Sequence, residues 1–157
     1  MLHYLHRTQL IPASLDKVWD YFSDPRNLDE MTPPDMRFHI LTDPLPRMYP
    51  GQLIEYRVEF IRGLPSPWLT EIAHVRKPEY FVDEQRLGPY QFWYHEHNFQ
   101  PVDGGVLMID KVTYSIGFGL LGDFLNAIWI SRRLKDIFDF RTQKMNEIFP
   151  VGGKDAR

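Results

Sequence analysis

The chain is predicted to be an α+β protein: an antiparallel meander of about six or seven strands, two short helices after the first strand, and one long helix at the carboxyl end. Three observations predict it. Tyr80 to Tyr114 divides into three consecutive strand-like runs, cut by Gly88-Pro89 and by Asp103-Gly104-Gly105. Gln52 to Ile61 alternates cleanly, with Ile54, Tyr56, Val58 and Phe60 set against Glu55, Arg57 and Glu59. From Gly122 to Phe149 the apolar period changes from two to that of a helix.

Leu2 to Ile11 has the length and partial alternation of a first strand, ended by Pro12. Ser14 then stands where a helix N-cap belongs, with Asp16 in the first turn to offset the helix dipole. Leu15, Val18, Trp19 and Phe22 follow at i, i+3, i+4 and i+7 and make one apolar helical face. Asp24-Pro25 announces a second short helix that turns Leu28 and Met31 inward and stops at Thr32-Pro33-Pro34. Met36 to Thr42 is expected to be a strand, ended by a Pro44-Leu45-Pro46 loop and a Pro50-Gly51 turn. Arg62 to Pro67 is expected to be the turn after the second long strand. Trp68 to Lys77 is the next strand, with Trp68, Thr70 and Ile72 on one face, although Ala73 and Val75 blur its alternation.

In the carboxyl-terminal helix, Leu121, Phe124, Leu125 and Ile128 share one face, and Ile130, Leu134, Ile137, Phe138, Met145, Ile148 and Phe149 share another, rotated well over a right angle. A straight helix cannot bury both on one sheet. A bend near Trp129–Ser131 is expected, or a first part that packs on a lid, a membrane or a second subunit. Arg132, Arg133, Lys135, Asp136 and Asp139 read as a solvated face. The expected organisation is one domain over residues 1-150 and a loose tail over residues 151-157.

Composition narrows the function classes. The chain has 157 residues with a net charge of −3, and its mixed signs speak against a nucleic-acid partner. It has no cysteine, which excludes disulfides, thiol nucleophiles and thiolate metal sites. The amino terminus has no secretory pattern and no stretch reaches about 18 uninterrupted apolar residues, so a cytoplasmic protein without a membrane span is expected. Aromatic residues make up 15% of the chain, which suits a bulky core or an apolar cavity.

The register of the central hairpins can be worked out from their turns. A two-residue Asp103-Gly104 turn sets Phe99 opposite Met108, His97 opposite Asp110, His95 opposite Val112 and Trp93 opposite Tyr114. A three-residue connection at 88–90 sets Gln85 opposite Trp93, Asp83 opposite His95 and Phe81 opposite His97. All these residues then share one face, taken as inward, with two candidate contacts, Asp83–His95 and His97–Asp110. Such pairs satisfy each other's polar atoms, orient a ligand, or move protons; a carboxylate beside a buried imidazole raises its pKa and fixes its tautomer. The i, i+2 spacing of the histidines matches no recognised metal motif, and no metal or cofactor is expected.

Gly117-Phe118-Gly119-Leu120-Leu121-Gly122 matches a dinucleotide-binding fingerprint letter for letter. The fingerprint needs a βαβ unit, and antiparallel hairpins followed by a terminal helix do not make one. An apolar hinge or flap at a pocket mouth is the reading adopted.

The segment from Pro12 to Pro33 (PASLDKVWDYFSDPRNLDEMTP), together with FVDEQRLGPYQFWYHEHNF and GGVLMIDKVTY, resembles the START and birch-pollen-allergen-like superfamily, often called SRPBCC, over about Leu2 to Phe149. The latter two segments look like an uncharacterised bacterial branch of it. The resemblance implies a helix-grip fold, with the sheet wrapped around the long helix and a cavity between them for a hydrophobic or amphipathic ligand. On that reading the candidate ligand-binding residues are Tyr56, Trp68, Phe81, Gln85, Trp93, His95, His97, Phe99, Met108 and Tyr114 from the strands, with Phe124 and Ile128 from the helix. The superfamily's catalytic residues differ between branches, so His95, His97, Asp83 and Asp110 are catalytic candidates on chemistry alone. Three functions follow: a carrier or sensor of a lipid, polyketide or isoprenoid-like molecule; a polyketide cyclase/dehydratase-like enzyme using the Asp–His pairs; or an adaptor such as a quinone chaperone, using Phe118, Leu120, Leu121 and Phe124 at a membrane or partner protein.

Overall fold

The computed structural model describes residues 1–43 and 46–152. Its elements run β1 (His3–Ile11), α1 (Leu15–Phe22), 3₁₀ turns at Pro25–Leu28 and Pro34–Met36, β2 (His39–Ile40), β3 (Gln52–Ile61), β4 (Leu64–Arg76), β5 (Tyr80–Leu87), β6 (Phe92–Val102), β7 (Gly105–Ser115), α2 (Gly119–Leu125), a π turn at Asn126–Ile130, and α3 (Ser131–Ile148). The strands form one curved antiparallel sheet in the order β1-β7-β6-β5-β4-β3-β2, with α3 lying across its inner face. This is the helix-grip architecture.

The central register is the one the turns dictate. Phe99 faces Met108, His97 faces Asp110, His95 faces Val112 and Trp93 faces Tyr114 across β6 and β7. Across β5 and β6, Phe81 faces His97 and Asp83 faces His95. That ladder ends at Glu84–Tyr94, so Gln85 has no strand partner on β6. Gly105 starts β7 where β1 ends, and a Cβ on it would stand 2.1 Å from the Ile11 carbonyl oxygen. Only glycine fits that approach.

Helix α1 forms because its apolar face has somewhere to go. Val18, Trp19 and Phe22 are buried, and Trp19 meets Phe81 and Phe99 edge-on at 6.2 and 5.7 Å between ring centroids. Each such aromatic contributes about 1.5–3 kcal/mol by leaving water. Ser14 occupies the N-cap position without a side-chain hydrogen bond.

Four expectations need correction. The strand expected over 36–42 shrinks to His39–Ile40, because Pro33-Pro34 starts a 3₁₀ turn that takes up Met36 and Arg37 leaves it in the left-handed region. The second helix is a single 3₁₀ turn, capped by Asp24 accepting from the Arg26 amide. The turn expected over 62–67 is confined to Arg62-Gly63, with Gly63 at φ +81°, and β4 already begins at Leu64. Pro65 and Pro67 are tolerated there because β5 pairs with β4 only from Leu69 onward, leaving the opposite edge free of ladder bonds. Glu59 does not face solvent: a register irregularity between Val58 and Ile61 turns it inward, where it accepts from the Gly63 amide at 2.7 Å. The blurred alternation at Ala73 and Val75 has a similar cause, a bulge between Ile72 and His74.

Pro44 and Leu45 of the loop expected at Pro44-Leu45-Pro46, and residues 153–157 of the tail expected over 151–157, lie outside the described residues. The change of helical face has a concrete origin, the π turn between α2 and α3. Ile130, Leu134, Ile137, Phe138 and Met145 are buried, whereas Leu121, Phe124 and Ile128 stay exposed. No described helix is long and apolar enough to cross a membrane.

Candidate functional site

Between α3 and the sheet lies a cavity of about 140 Å³. Strands β3, β4, β5 and β6 supply Ile54, Tyr56, Val58, Phe60, Trp68, Thr70, Ile72, Phe81, Asp83, Trp93, His95 and His97. Tyr90 comes from the loop between β5 and β6, and α3 supplies Leu134, Ile137, Phe138 and Arg141. The segment after α1 closes one end with Leu28, Met31, Met36, Phe38 and Met48. A strand alternates its side chains, so each pleat sends every second residue into the same space. Most of the wall is aromatic or aliphatic.

A four-residue polar cluster on β5, β6 and β7 meets one part of the wall. His95 Nε2 lies 2.8 Å from Asp110 Oδ1, and His97 Nε2 lies 2.7 Å from Asp83 Oδ2. These close contacts are diagonal. The pairs directly opposite in the register are longer, at 3.4 Å for His95 Nδ1 to Asp83 and 3.1 Å for His97 Nδ1 to Asp110. The expected contacts Asp83–His95 and His97–Asp110 are therefore the secondary ones: the two imidazoles lie 3.7 Å apart between centroids, tilted by 36°, and lean along the strands toward the diagonal carboxylates. His97 Nδ1 is buried without a hydrogen-bond partner, so its contact with Asp110 is one of charge. Phe81 stacks on His97 at 4.1 Å, and Trp93 Nε1 donates to Asp83 Oδ1 at 3.2 Å.

The two histidines are driven apart in basicity. Burial lowers the His95 pKa and the neighbouring His97 charge lowers it further, and the two carboxylates do not make this up. Burial also pushes His97 down, but Asp110 and Asp83 outweigh it and leave its pKa raised. Burial alone would raise both carboxylates; the histidines overturn this and hold Asp83 and Asp110 below the usual carboxylate range. Asp83, His95 and His97 border the cavity, while Asp110 stands behind them. The arrangement sets two imidazoles with opposite pKa shifts beside an apolar space, the setting in which a histidine acts as an acid or base. One oxygen of Asp83 and one nitrogen each of His95 and His97 also lie within 4.8 Å of one another, a spacing that a divalent cation can bridge.

Elsewhere, Trp68 Nε1 donates to Thr70 Oγ1 at 2.9 Å, and the Thr70 hydroxyl shares a hydrogen bond with the Tyr56 hydroxyl. Burial, and then the Asp83 charge, raise the Tyr56 pKa and keep its phenol neutral. Two further polar atoms on wall residues, Tyr90 Oη and Arg141 Nε, are buried without a hydrogen-bond partner.

The structure brings together Tyr56, Trp68, Phe81, Trp93, His95 and His97 of the expected lining, together with Asp83. It places the others away from the cavity. Phe99 and Met108 pack beneath α1. Tyr114 donates to Asn126 Oδ1 at 2.9 Å. The Gln85 side chain clamps the Tyr90 backbone, donating to its carbonyl at 2.6 Å and accepting from its amide at 3.2 Å. Phe124 and Ile128 face solvent at 61% and 49% exposure, because the π turn rotates α2 off the sheet. Sequence reasoning misses Tyr90, inside a loop signal, and Arg141, inside a charged helix. For Arg141 a usable signal existed, since it follows Leu134, Ile137 and Phe138 on the buried face at helical spacing.

The hinge candidate is built from three successive left-handed residues, Gly117, Phe118 and Gly119, at φ +82°, +56° and +53°. Phe118, Leu120, Leu121 and Phe124 are exposed around it.

No protein-family model matches the chain, and no curated protein matches it in sequence. Solved structures do share its fold. TTHA0849 from Thermus thermophilus superposes with a TM-score of 0.72 at 14% identity, covering 97% of this chain and 100% of that one. A START superfamily protein from Mycobacterium smegmatis gives a TM-score of 0.68 at 14% identity over 93% of this chain and 99% of its own. ZhuI aromatase/cyclase from Streptomyces sp. R1128 gives 0.67 at 14% identity over 98% of this chain and 99% of its own. The chain thus has the helix-grip fold of the START and birch-pollen-allergen-like superfamily.

Proposed function

We propose that this chain, acting as one ligand-binding domain over residues 1-150, binds a hydrophobic or amphipathic small molecule in its internal cavity as a carrier or sensor. The observation that carries the reading is the cavity itself: about 140 Å³ of space walled by aromatic, methionine and aliphatic side chains, with only a few polar groups turned toward it. Ligand sites have this composition, whereas a core without a ligand role closes up to native packing density. The fold shared with a START protein and an aromatase/cyclase supports it. A dry cavity of about 150 Å³ takes up a benzene ring. The resting cavity therefore suits a compact ring or a short chain, and a larger polyketide or lipid requires the wall to open.

Native mass spectrometry of the purified protein, followed by denaturing extraction, tests the reading. A co-purifying apolar molecule of stoichiometric abundance is expected, or uptake of one from a small panel of ring compounds. A protein that carries nothing and takes up nothing would contradict it.

The Asp83–His95–His97 wall favours a second reading, a cyclase/dehydratase-type enzyme. His97 would carry the proton and His95 accept one on a bound carbonyl compound. His95→Gln and His97→Gln separate the two. A carrier keeps its ligand affinity within a few fold, whereas a proton-transfer enzyme loses roughly a hundredfold or more in turnover.

A further inference from the structure

The cavity wall has two charged features, and they differ in kind. Asp83, His95 and His97 are engaged with one another, with Asp110 and with Trp93. Arg141 is not so engaged. It sits on the inward face of α3, one turn after Phe138, with its guanidinium carbon 5.0 Å from the centre of that ring. Its Nε is buried and makes no hydrogen bond, and among the described residues no carboxylate forms an ion pair with it. Arg141 is half-buried, and a guanidinium nitrogen taken out of water is normally hydrogen-bonded, because losing water without replacement is costly. Here a cation borders an apolar space with part of its donor set unused.

We infer that Arg141 is the anion-recognition residue of the cavity and that the ligand is a compact amphipathic carboxylate, its apolar body against the aromatic wall and its carboxylate on the guanidinium. The inference rests on the ligand-binding reading above and adds the head group to it. The planar fork of arginine matches the two oxygens of a carboxylate, and the apolar surroundings strengthen the charge-assisted bonds. A monoanion is the right charge. Arg141 is the one Lys or Arg among the lining residues, and Asp83 stands on the same wall, so a phosphate dianion would be left under-balanced. The contact of Arg141 with the Phe138 ring adds a cation–π attraction that holds the guanidinium at the cavity wall.

Trp68 and Trp93 line the cavity, so intrinsic fluorescence reads its occupancy. The probes are 3-phenylpropanoate with 3-phenylpropanamide, and octanoate with octanamide; each pair differs in charge and hardly in shape. The wild type is expected to bind one of the acids about tenfold or more tightly than its amide, as a charge-assisted bond exceeds a neutral one. Arg141→Gln is expected to erase that preference and leave amide affinity within about threefold, and Arg141→Lys to keep part of it. The amide titration and a thermal melt report whether each variant retains the fold. Which acid binds tells an aromatic from an aliphatic source. Equal affinity for acid and amide in the wild type, or an acid preference that survives in Arg141→Gln, overturns the inference and leaves the cavity reading standing. If no acid and no amide binds the wild type, the cavity reading falls and takes the inference with it.

Discussion

Asp110→Asn is the most informative single substitution in the buried cluster. Asp110 accepts from His95 at 2.8 Å and lies 3.1 Å from His97, and its side chain is 9% exposed. The amide keeps the shape and one acceptor, so the hydrogen bond from His95 can survive. What goes is the negative charge that both imidazoles face. Removing one partner of a buried ion pair costs about 3–5 kcal/mol when nothing replaces it, and the retained acceptor returns part, leaving a loss of about 2–4 kcal/mol. For a chain of this length that is a fall in Tm of about 5–15 °C. Urea unfolding at pH 7 measures the free energy directly. The sign of its pH dependence follows from the lowered Asp110 pKa. Stability from such a group is complete above the unfolded carboxylate value of about 4 and is lost as pH falls toward the folded value. The gap between wild type and Asp110→Asn should therefore be full at pH 7 and narrow below about pH 4. Asp139→Asn is the control, since its 3.0 Å pair with Arg7 is half-exposed and worth about 0–1 kcal/mol. A loss at Asp110 no larger than at Asp139 would refute the reasoning.

Two other outcomes are expected. The raised His97 pKa stabilises the protein below the unfolded imidazole value of about 6.5, and that contribution disappears as pH rises through the folded value. The stability cost of His97→Gln should thus be larger at pH 6 than at pH 9, and His95→Gln should show the opposite trend because the His95 pKa is lowered; denaturant midpoints across this range decide it. Gly105→Ala forces a Cβ to 2.1 Å from the Ile11 carbonyl at φ +147°, so a loss of at least about 1–3 kcal/mol is expected by urea unfolding, and a neutral result would mean that the β1–β7 junction is looser than described.

The legibility of this chain varies with the kind of signal. Strand β3 and the triple strand β5–β7 are legible because alternation and turn chemistry are local, and a turn length fixes every pair beyond it. The shared face of Asp83, His95 and His97 follows directly. Their actual partners do not, since whether an imidazole leans to the opposite or the diagonal carboxylate depends on side-chain rotamers and ring contacts that a register does not specify. Glu59 and Val75 escape because a single extra residue in a strand reverses the faces after it. Phe124 and Ile128 stand on a helical face rotated away from that of Leu134 and Ile137, and the π turn at 126–130 leaves that face exposed instead of bringing it to the cavity, which periodicity alone does not reveal. Arg141 is hidden by its charged neighbours on the outer face of α3, although its spacing from Ile137 and Phe138 marks it as inward.

Methyl NMR of the protein labelled at methionine and isoleucine tests the central claim most directly. Met31, Met36, Met48, Ile54 and Ile137 line the cavity, whereas Met108 and Met145 are buried beneath α1 and away from it. Titration with 3-phenylpropanoate and 3-phenylpropanamide should shift the first set and leave Met108 and Met145 in place. Shifts confined to exposed methyls such as Met1 and Ile128, or no shift with any apolar probe, would contradict an internal ligand site.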